Sequence, residues 1–267
     1  MSDNNTKFQS PISKIVTLRG IDQNYPPPES IRSQQSLSQI EAWTSEKLMK
    51  LNVSKTKYMI FNFTSDFQFA TRLSLENQLI ECVKETTLLG TIITSDLKWS
   101  RNTDMLVKKA FKRMVILQKL KSFNVATEDM LNIYKLYIRS VVEQNCPVWH
   151  HSLSQEDRAN IERVQKVACK IILQELYSEY EEALPLLGLE TLFQRREKLC
   201  LTFAKKCVNH PKASSMFPLN KASNYVTRKH EKYVVQSART SRLRFSAIPQ
   251  MQRALNYDNL SNLHCKT

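Results

Sequence analysis

Between about residue 103 and residue 209 apolar side chains recur at helical spacing, and this commits the middle of the chain to a bundle of helices. Such stripes are stable only when buried against one another. Ser100 or Asn102 opens the first helix, about 103–121, with Val107, Ala110, Phe111, Met114, Leu117 and Gln118 on one side. Thr127, followed by Glu128 and Asp129, starts a second helix to about Glu143, with Met130, Leu131, Tyr134, Tyr137, Ile138 and Val141 inward. Pro147 is expected to end any helix there, and Trp149 to anchor the following loop. Ser154 with Asp157 resembles a capping box for a third helix to about Leu173, burying Ile161, Val164, Ala168, Ile171 and Ile172. A fourth, about 190–209, carries Leu192, Leu199, Phe203 and Cys207.

The flanks read differently. Residues 1–33 form a polar leader with Pro26-Pro27-Pro28, a polyproline-II spacer. Ser36 caps a helix whose face is Leu37, Ile40, Trp43 and Leu48. Lys50–Phe63 then joins helix to strand, because Met59, Phe61 and Phe63 alternate with Tyr58, Ile60 and Asn62. Arg72–Leu75 and Leu79–Val83 flank Glu76-Asn77-Gln78 as a hairpin, and Thr87–Thr94 is a further β-branched run broken by Gly90. From about Pro211 the chain is irregular and basic through Arg228, Lys229, Lys232, Arg239, Arg242 and Arg244. The expected fold class is α+β, mostly helical: a small antiparallel or mixed sheet backed by a helix, a helical bundle, and a basic irregular tail. The boundaries are 1–33, 34–101, 102–178, 179–212 and 213–267.

Lys and Arg number 39 against 25 Asp and Glu, a net charge of +14, so a polyanion is the natural partner class. Only three glycines argues against Gly-rich phosphate cradles. On the first bundle helix Lys108, Lys109, Lys112 and Lys119 fall within an arc of about 100° opposite the apolar side. Arg163, Lys166 and Lys170 share the outer face of the third. The six cysteines form no CxxC pair and read as reduced thiols of an intracellular protein, in cytoplasm or nucleus. Neither a signal peptide nor a run long enough to span a bilayer is present, so no membrane association is expected.

Candidate chemistry is sparse. His150-His151 precede Ser152, but adjacent histidines diverge on any regular element and no carboxylate stands at ligand spacing, so they read as loop residues. Cys200 and Cys207 are seven apart on one helical face. Glu179, Glu181 and Glu182 read as a solvated helix start. Asp96 and Asp104 are isolated, and no Asp-Asp pair occurs anywhere in the sequence. No catalytic or metal-binding set is therefore expected.

Several ordered stretches resemble the C-terminal part of non-LTR retrotransposon reverse transcriptases. Ile40-Glu41-Ala42-Trp43 and Lys50-Leu51-Asn52-Val53-Ser54-Lys55-Thr56-Lys57 resemble the family's late-palm helix, LNxxKTK turn and strand. Ile80–Val83, Leu88-Leu89-Gly90 and Asp96-Leu97-Lys98-Trp99-Ser100 are similar to its next hairpin. Pro147-Val148-Trp149 and Ile161–Lys166 resemble its thumb and connector. Leu186–Leu192, Arg195-Arg196, Ala238-Arg239-Thr240 and Ile248-Pro249 resemble the segment after it, so the likeness covers about residues 36–255.

The resemblance implies that residues 34–101 are a palm remnant and 102–178 a thumb-like bundle, followed by connector helices. In the intact family the carboxylates that hold Mg2+ lie on a Tyr/Phe-Ala-Asp-Asp hairpin before the Trp43 helix, a position taken here by the Pro-rich leader. Without them two metals cannot stabilise the attacking and leaving oxygens, so no cofactor and no polymerisation by this chain alone are expected. Lys55 matches the late-palm lysine thought to assist proton transfer to pyrophosphate. The thumb helices of that family track a template–primer duplex, which makes RNA or an RNA–DNA duplex the implied partner. Lys108, Lys109, Lys112 and Lys119, with Arg163, Lys166 and Lys170, are the candidate phosphate contacts, binding without base readout. A second likeness, of Lys108–Leu173 to a helical domain at the N-terminus of AlkB-homologue-eight tRNA-modifying enzymes, would imply methyltransferase or dioxygenase chemistry. No iron triad or cofactor-binding glycine loop supports it. A third reading is a host module that uses the helices to bind a protein partner.

Overall fold

The computed structural model of the chain describes residues 29–61, 63, 72–220 and 232–264, and these build a mostly helical α+β protein. It has two compact units, one ending at Lys98 and the other beginning at Trp99. Among the described residues no helix is long and apolar enough to cross a membrane.

The first unit starts with α1, Glu29–Glu46. Ser36 lies inside this helix rather than capping it, since the helix begins seven residues earlier. Its buried line is Ser33, Leu37 and Thr44, with Ile40 beside it, whereas Trp43 and Leu48 are exposed. Thr44 joins that line because its hydroxyl donates to Ile40 O at 2.9 Å and so needs no outside partner. The turn after α1 is built by Asn52, whose side chain accepts from Lys55 N at 3.1 Å and from Ser54 Oγ at 2.7 Å.

The expected strand Tyr58–Phe63 shrinks to β1, Lys57–Tyr58, paired in parallel with β4, Glu81–Cys82. Val83 N adds one further bond to Tyr58 O at 2.9 Å, and beyond it the partner chain leaves for the next hairpin. Tyr58, Met59 and Phe61 are all buried, so the alternation does not hold. The Asn77 hairpin forms from β2, Ser74–Leu75, and β3, Gln78–Leu79, with Glu76 and Asn77 both at positive φ, 48° and 59°. The residues expected as one strand, Leu79–Val83, divide between two partners: β3 pairs back on β2 while β4 pairs with β1. Thr87–Thr94 is a second hairpin, β5 (Glu85–Leu88) with β6 (Thr91–Thr94), turning through Leu89-Gly90. Among the described residues three two-stranded sheets thus stand in place of the single mixed one. Leu37, Leu51, Tyr58, Leu73, Leu75 and Ile80 form one core, drawn from α1 and the β1–β4 and β2–β3 segments and not from β5 or β6.

The second unit is the bundle. Helix α2, Ser100–Ser122, buries Leu106, Val107, Ala110, Met114 and Leu117, while Gln118 is exposed. The Thr127–Glu143 helix is interrupted: α3 (Thr127–Ile133) and α4 (Ser140–Glu143) flank a π-helical segment, Tyr134–Arg139. Tyr134 and Ile138 stay fully buried across it, and Tyr137 turns out to solvent. That helix ends at Asn145, in the left-handed region at φ 53°, and Pro147 sits in the first turn of α5, Cys146–Trp149. Proline begins a helix here instead of ending one, because the first-turn N–H is unpaired in any case. Trp149 is fully buried and donates from Nε1 to Gln144 O at 3.1 Å.

Helix α6, Gln155–Leu173, is capped by Ser154, which accepts from Asp157 N at 3.0 Å. Asp157 Oδ2 in turn accepts from Ser154 Oγ at 2.7 Å and Ser100 Oγ at 3.0 Å, so one buried carboxylate ties the starts of α2 and α6. After α7, Tyr180–Leu186, Thr191 and Gln194 close a capping box on α8, Leu192–Val208. Its buried line is Leu192, Arg196, Cys200 and Ala204 rather than Leu199, Phe203 and Cys207. The face was misplaced because Arg196 is a buried cation, and a charged residue argues against the stripe it belongs to.

The tail is not irregular throughout. Its described part contains α9 (Ser241–Arg244) and α10 (Ala247–His264), and α10 packs on α8. Ala204, Phe217, Tyr233, Met251 and Leu255 share a core. Polar side chains on α10 satisfy the intervening backbone: Asn256 brackets Tyr233 N and O at 2.9 Å each, and Gln252 donates to Met216 O at 2.8 Å. Residues 1–28, Arg228 and Lys229 lie outside the described residues.

Candidate nucleic-acid interface

Helix α2 carries no acidic residue from Met105 to Ser122, and Lys108, Lys109, Lys112 and Lys119 are all exposed on it. Its neighbour α6 exposes Arg163, Lys166 and Lys170. The two rows meet at the seam between the helices: the Arg163 guanidinium lies 5.4 Å from the centre of the Phe111 ring, and Phe111 sits between Lys108 and Lys112. Farther along α6, Lys166 lies 4.9 Å from the Tyr180 ring and Lys170 5.3 Å from the Tyr177 ring. Each of these three cations therefore rests over an aromatic face.

A buried polar network fixes α6 beneath this surface. Tyr134 Oη donates to Gln165 Oε1 at 2.6 Å, and Gln165 Nε2 donates to Tyr180 Oη and Glu190 O, each at 2.9 Å. Tyr180 also bonds Glu162, which accepts from Leu192 N at 3.0 Å. Burial pushes both phenols above their ordinary range, so they remain protonated donors. Lys55 is exposed in the first unit, at the end of the Asn52 turn.

The histidine pair is not a loop with distant carboxylates. His150 is fully buried, with Nε2 2.8 Å from Glu197 Oε1, and His151 Nε2 lies 3.3 Å from the same oxygen. Arg196 Nε donates to His150 Nδ1 at 3.1 Å. Glu197 is 47 residues from His150, so no sequence spacing reveals the contact. The one cue in the sequence, the i, i+4 line Leu192–Arg196–Cys200–Ala204, is masked by the charge of Arg196 within it. His150 Nε2, His151 Nε2 and Glu197 Oε1 lie within 4.8 Å of one another, close enough to surround a metal ion. The donor set argues otherwise. Because Arg196 Nε–H fills Nδ1, the hydrogen of neutral His150 is on Nε2, the atom a metal would need bare, and the guanidinium would repel the ion.

A cavity of about 540 Å³ opens between α8 and α10, lined by His151, Glu197, Leu201, Arg253, Ala254 and Tyr257. Cys146 and Cys200 are buried together, and the contact with Cys146 and desolvation push the Cys200 thiol up. Burial holds Cys169 up to about 11. Both are moved away from the thiolate that nucleophilic catalysis uses. Cys207, expected to share a face with Cys200, is half-buried. No family model, no curated protein and no solved structure matches the chain.

Proposed function

We propose that the chain is a palm–thumb fragment of the non-LTR retrotransposon reverse-transcriptase kind, inactive as a polymerase on its own, whose helical unit binds RNA or an RNA–DNA duplex through the phosphate backbone. The supporting observation is the exposure of seven cations on the adjoining helices α2 and α6, with Arg163 of α6 resting over Phe111 of α2. Contacts of this kind carry affinity without sequence preference. Lys55 matches the motif lysine of that family, and the sequence carries no Asp-Asp pair beside it. The test is duplex binding by K108E/K109E/K112E. All three side chains are exposed, so helicity is expected to stay unchanged while affinity collapses; unchanged affinity refutes the proposal.

A second reading, a protein-interaction module, draws on exposed apolar groups of the same unit: Val115 and Ile116 on α2, and Leu136, 78% exposed, on the π segment. It predicts that the triple variant keeps partner capture and that V115S/I116S loses it.

A further inference from the structure

Arg196 and His150 are both fully buried and in direct contact, Nε to Nδ1 at 3.1 Å. The guanidinium's Nη1 and Nη2 have no hydrogen-bond partner: Glu162 and Glu143 act on its charge through space without bonding either nitrogen, and desolvation outweighs them. The contact exists only because the neutral imidazole offers Nδ1 as an acceptor while its Nε2–H reaches Glu197. We propose that Arg196, His150 and Glu197 form an acid-sensitive latch that holds α8 against the His150–Ser152 turn only while His150 is neutral.

Protonation would place a hydrogen on Nδ1 facing the Arg196 Nε–H, a donor against a donor, and two cations in contact without solvent. Glu197 offsets part of this, but its side chain is 39% exposed and its Oε1 is shared with His151. The other groups around the imidazole do not compensate. The Phe193 ring lies 5.0 Å from that of His150, and Arg158 of α6 lies over Phe193 and donates to His151 O. From α10, Arg253 and Asp258 face the cavity that His151 and Glu197 line. Desolvation accordingly lowers the basicity of His150, with the Glu197 hydrogen bond opposing it. The unfolded imidazole takes up its proton near 6.5 and the native one resists, so stability falls as pH drops below about 6.5. Glu197, held well below the usual carboxylate range by the two histidines, adds a second loss below about 4.5.

The experiment is amide hydrogen exchange of the full chain from about pH 7 to about pH 5, corrected for intrinsic rates, for wild type and H150Q. Glutamine can accept from Arg196 and donate to Glu197 but cannot titrate. Wild-type protection of α8 is expected to fall across this pH range while that of H150Q stays level. Parallel profiles overturn the proposal. Nitrogen-15 imidazole spectra of the wild type keep it testable if H150Q does not fold. A His150 hydrogen on Nε2 that persists below the ordinary imidazole range supports the latch, and one on Nδ1, or titration at or above that range, overturns it.

Discussion

Removing the Tyr134 hydroxyl tests whether the bundle is organised by the polar network at its centre. In Y134F the ring still fills its site, but Gln165 Oε1 loses its 2.6 Å donor inside a fully buried pocket. Stranding one neutral buried acceptor costs about 1–3 kcal/mol. Q165L is worse, because it strands both the Tyr134 hydroxyl and the Glu190 carbonyl, for about 2–6 kcal/mol. Tyr180 keeps Glu162 and contributes less. In Y134F/Q165L neither the stranded hydroxyl nor the stranded Gln165 acceptor exists, so the double loss should fall short of the summed single losses by about 2–6 kcal/mol. Urea unfolding followed by far-UV circular dichroism, with unchanged m-values, reads all four corners of the cycle. Additive losses, or a Y134F cost under about 0.5 kcal/mol, would refute the network as drawn.

Three further outcomes follow from single sites. W149A should lose about 3–5 kcal/mol in the same assay, through the cavity left by a fully buried indole and its lost bond to Gln144 O. Gly188 ends α7 at φ +57°, with Leu189 N bonded to Leu184 O at 2.8 Å and no atom within 4 Å of an added Cβ. G188A should therefore cost about 1 kcal/mol from conformation alone, and a much larger loss would mean that contacts matter there. H150Q should flatten the decline in thermal stability that the wild type shows below about pH 6.5, and equal slopes would count against a buried neutral imidazole.

The helices of the bundle were readable because their stripes are apolar and their caps local: Ser154 with Asp157, and the apolar faces of α2 and α6, need no information from elsewhere in the chain. The Asn77 hairpin was readable for the same reason. What failed depended on distant partners. The strand from Tyr58 stops where its parallel partner turns away, a limit set by residues beyond Val83. Arg196 hid the buried line of α8 because its partner His150 is 46 residues away. In α10 Asn256 and Gln252 look like solvent-facing residues until Tyr233 and Met216 are brought beside them. The basic rows were visible as helical arcs, but their meeting at Phe111 required the packing of α2 on α6.

The most direct test of the phosphate-binding account is the salt dependence of affinity for an RNA–DNA duplex, measured by fluorescence anisotropy. If all seven cations on α2 and α6 meet phosphates, log affinity should fall against log salt with a slope of about −6, and R163E/K166E/K170E should bring it to about −4. Neither value should depend on the duplex sequence. Binding that ignores salt, or a slope that the triple variant leaves unchanged, would contradict the account.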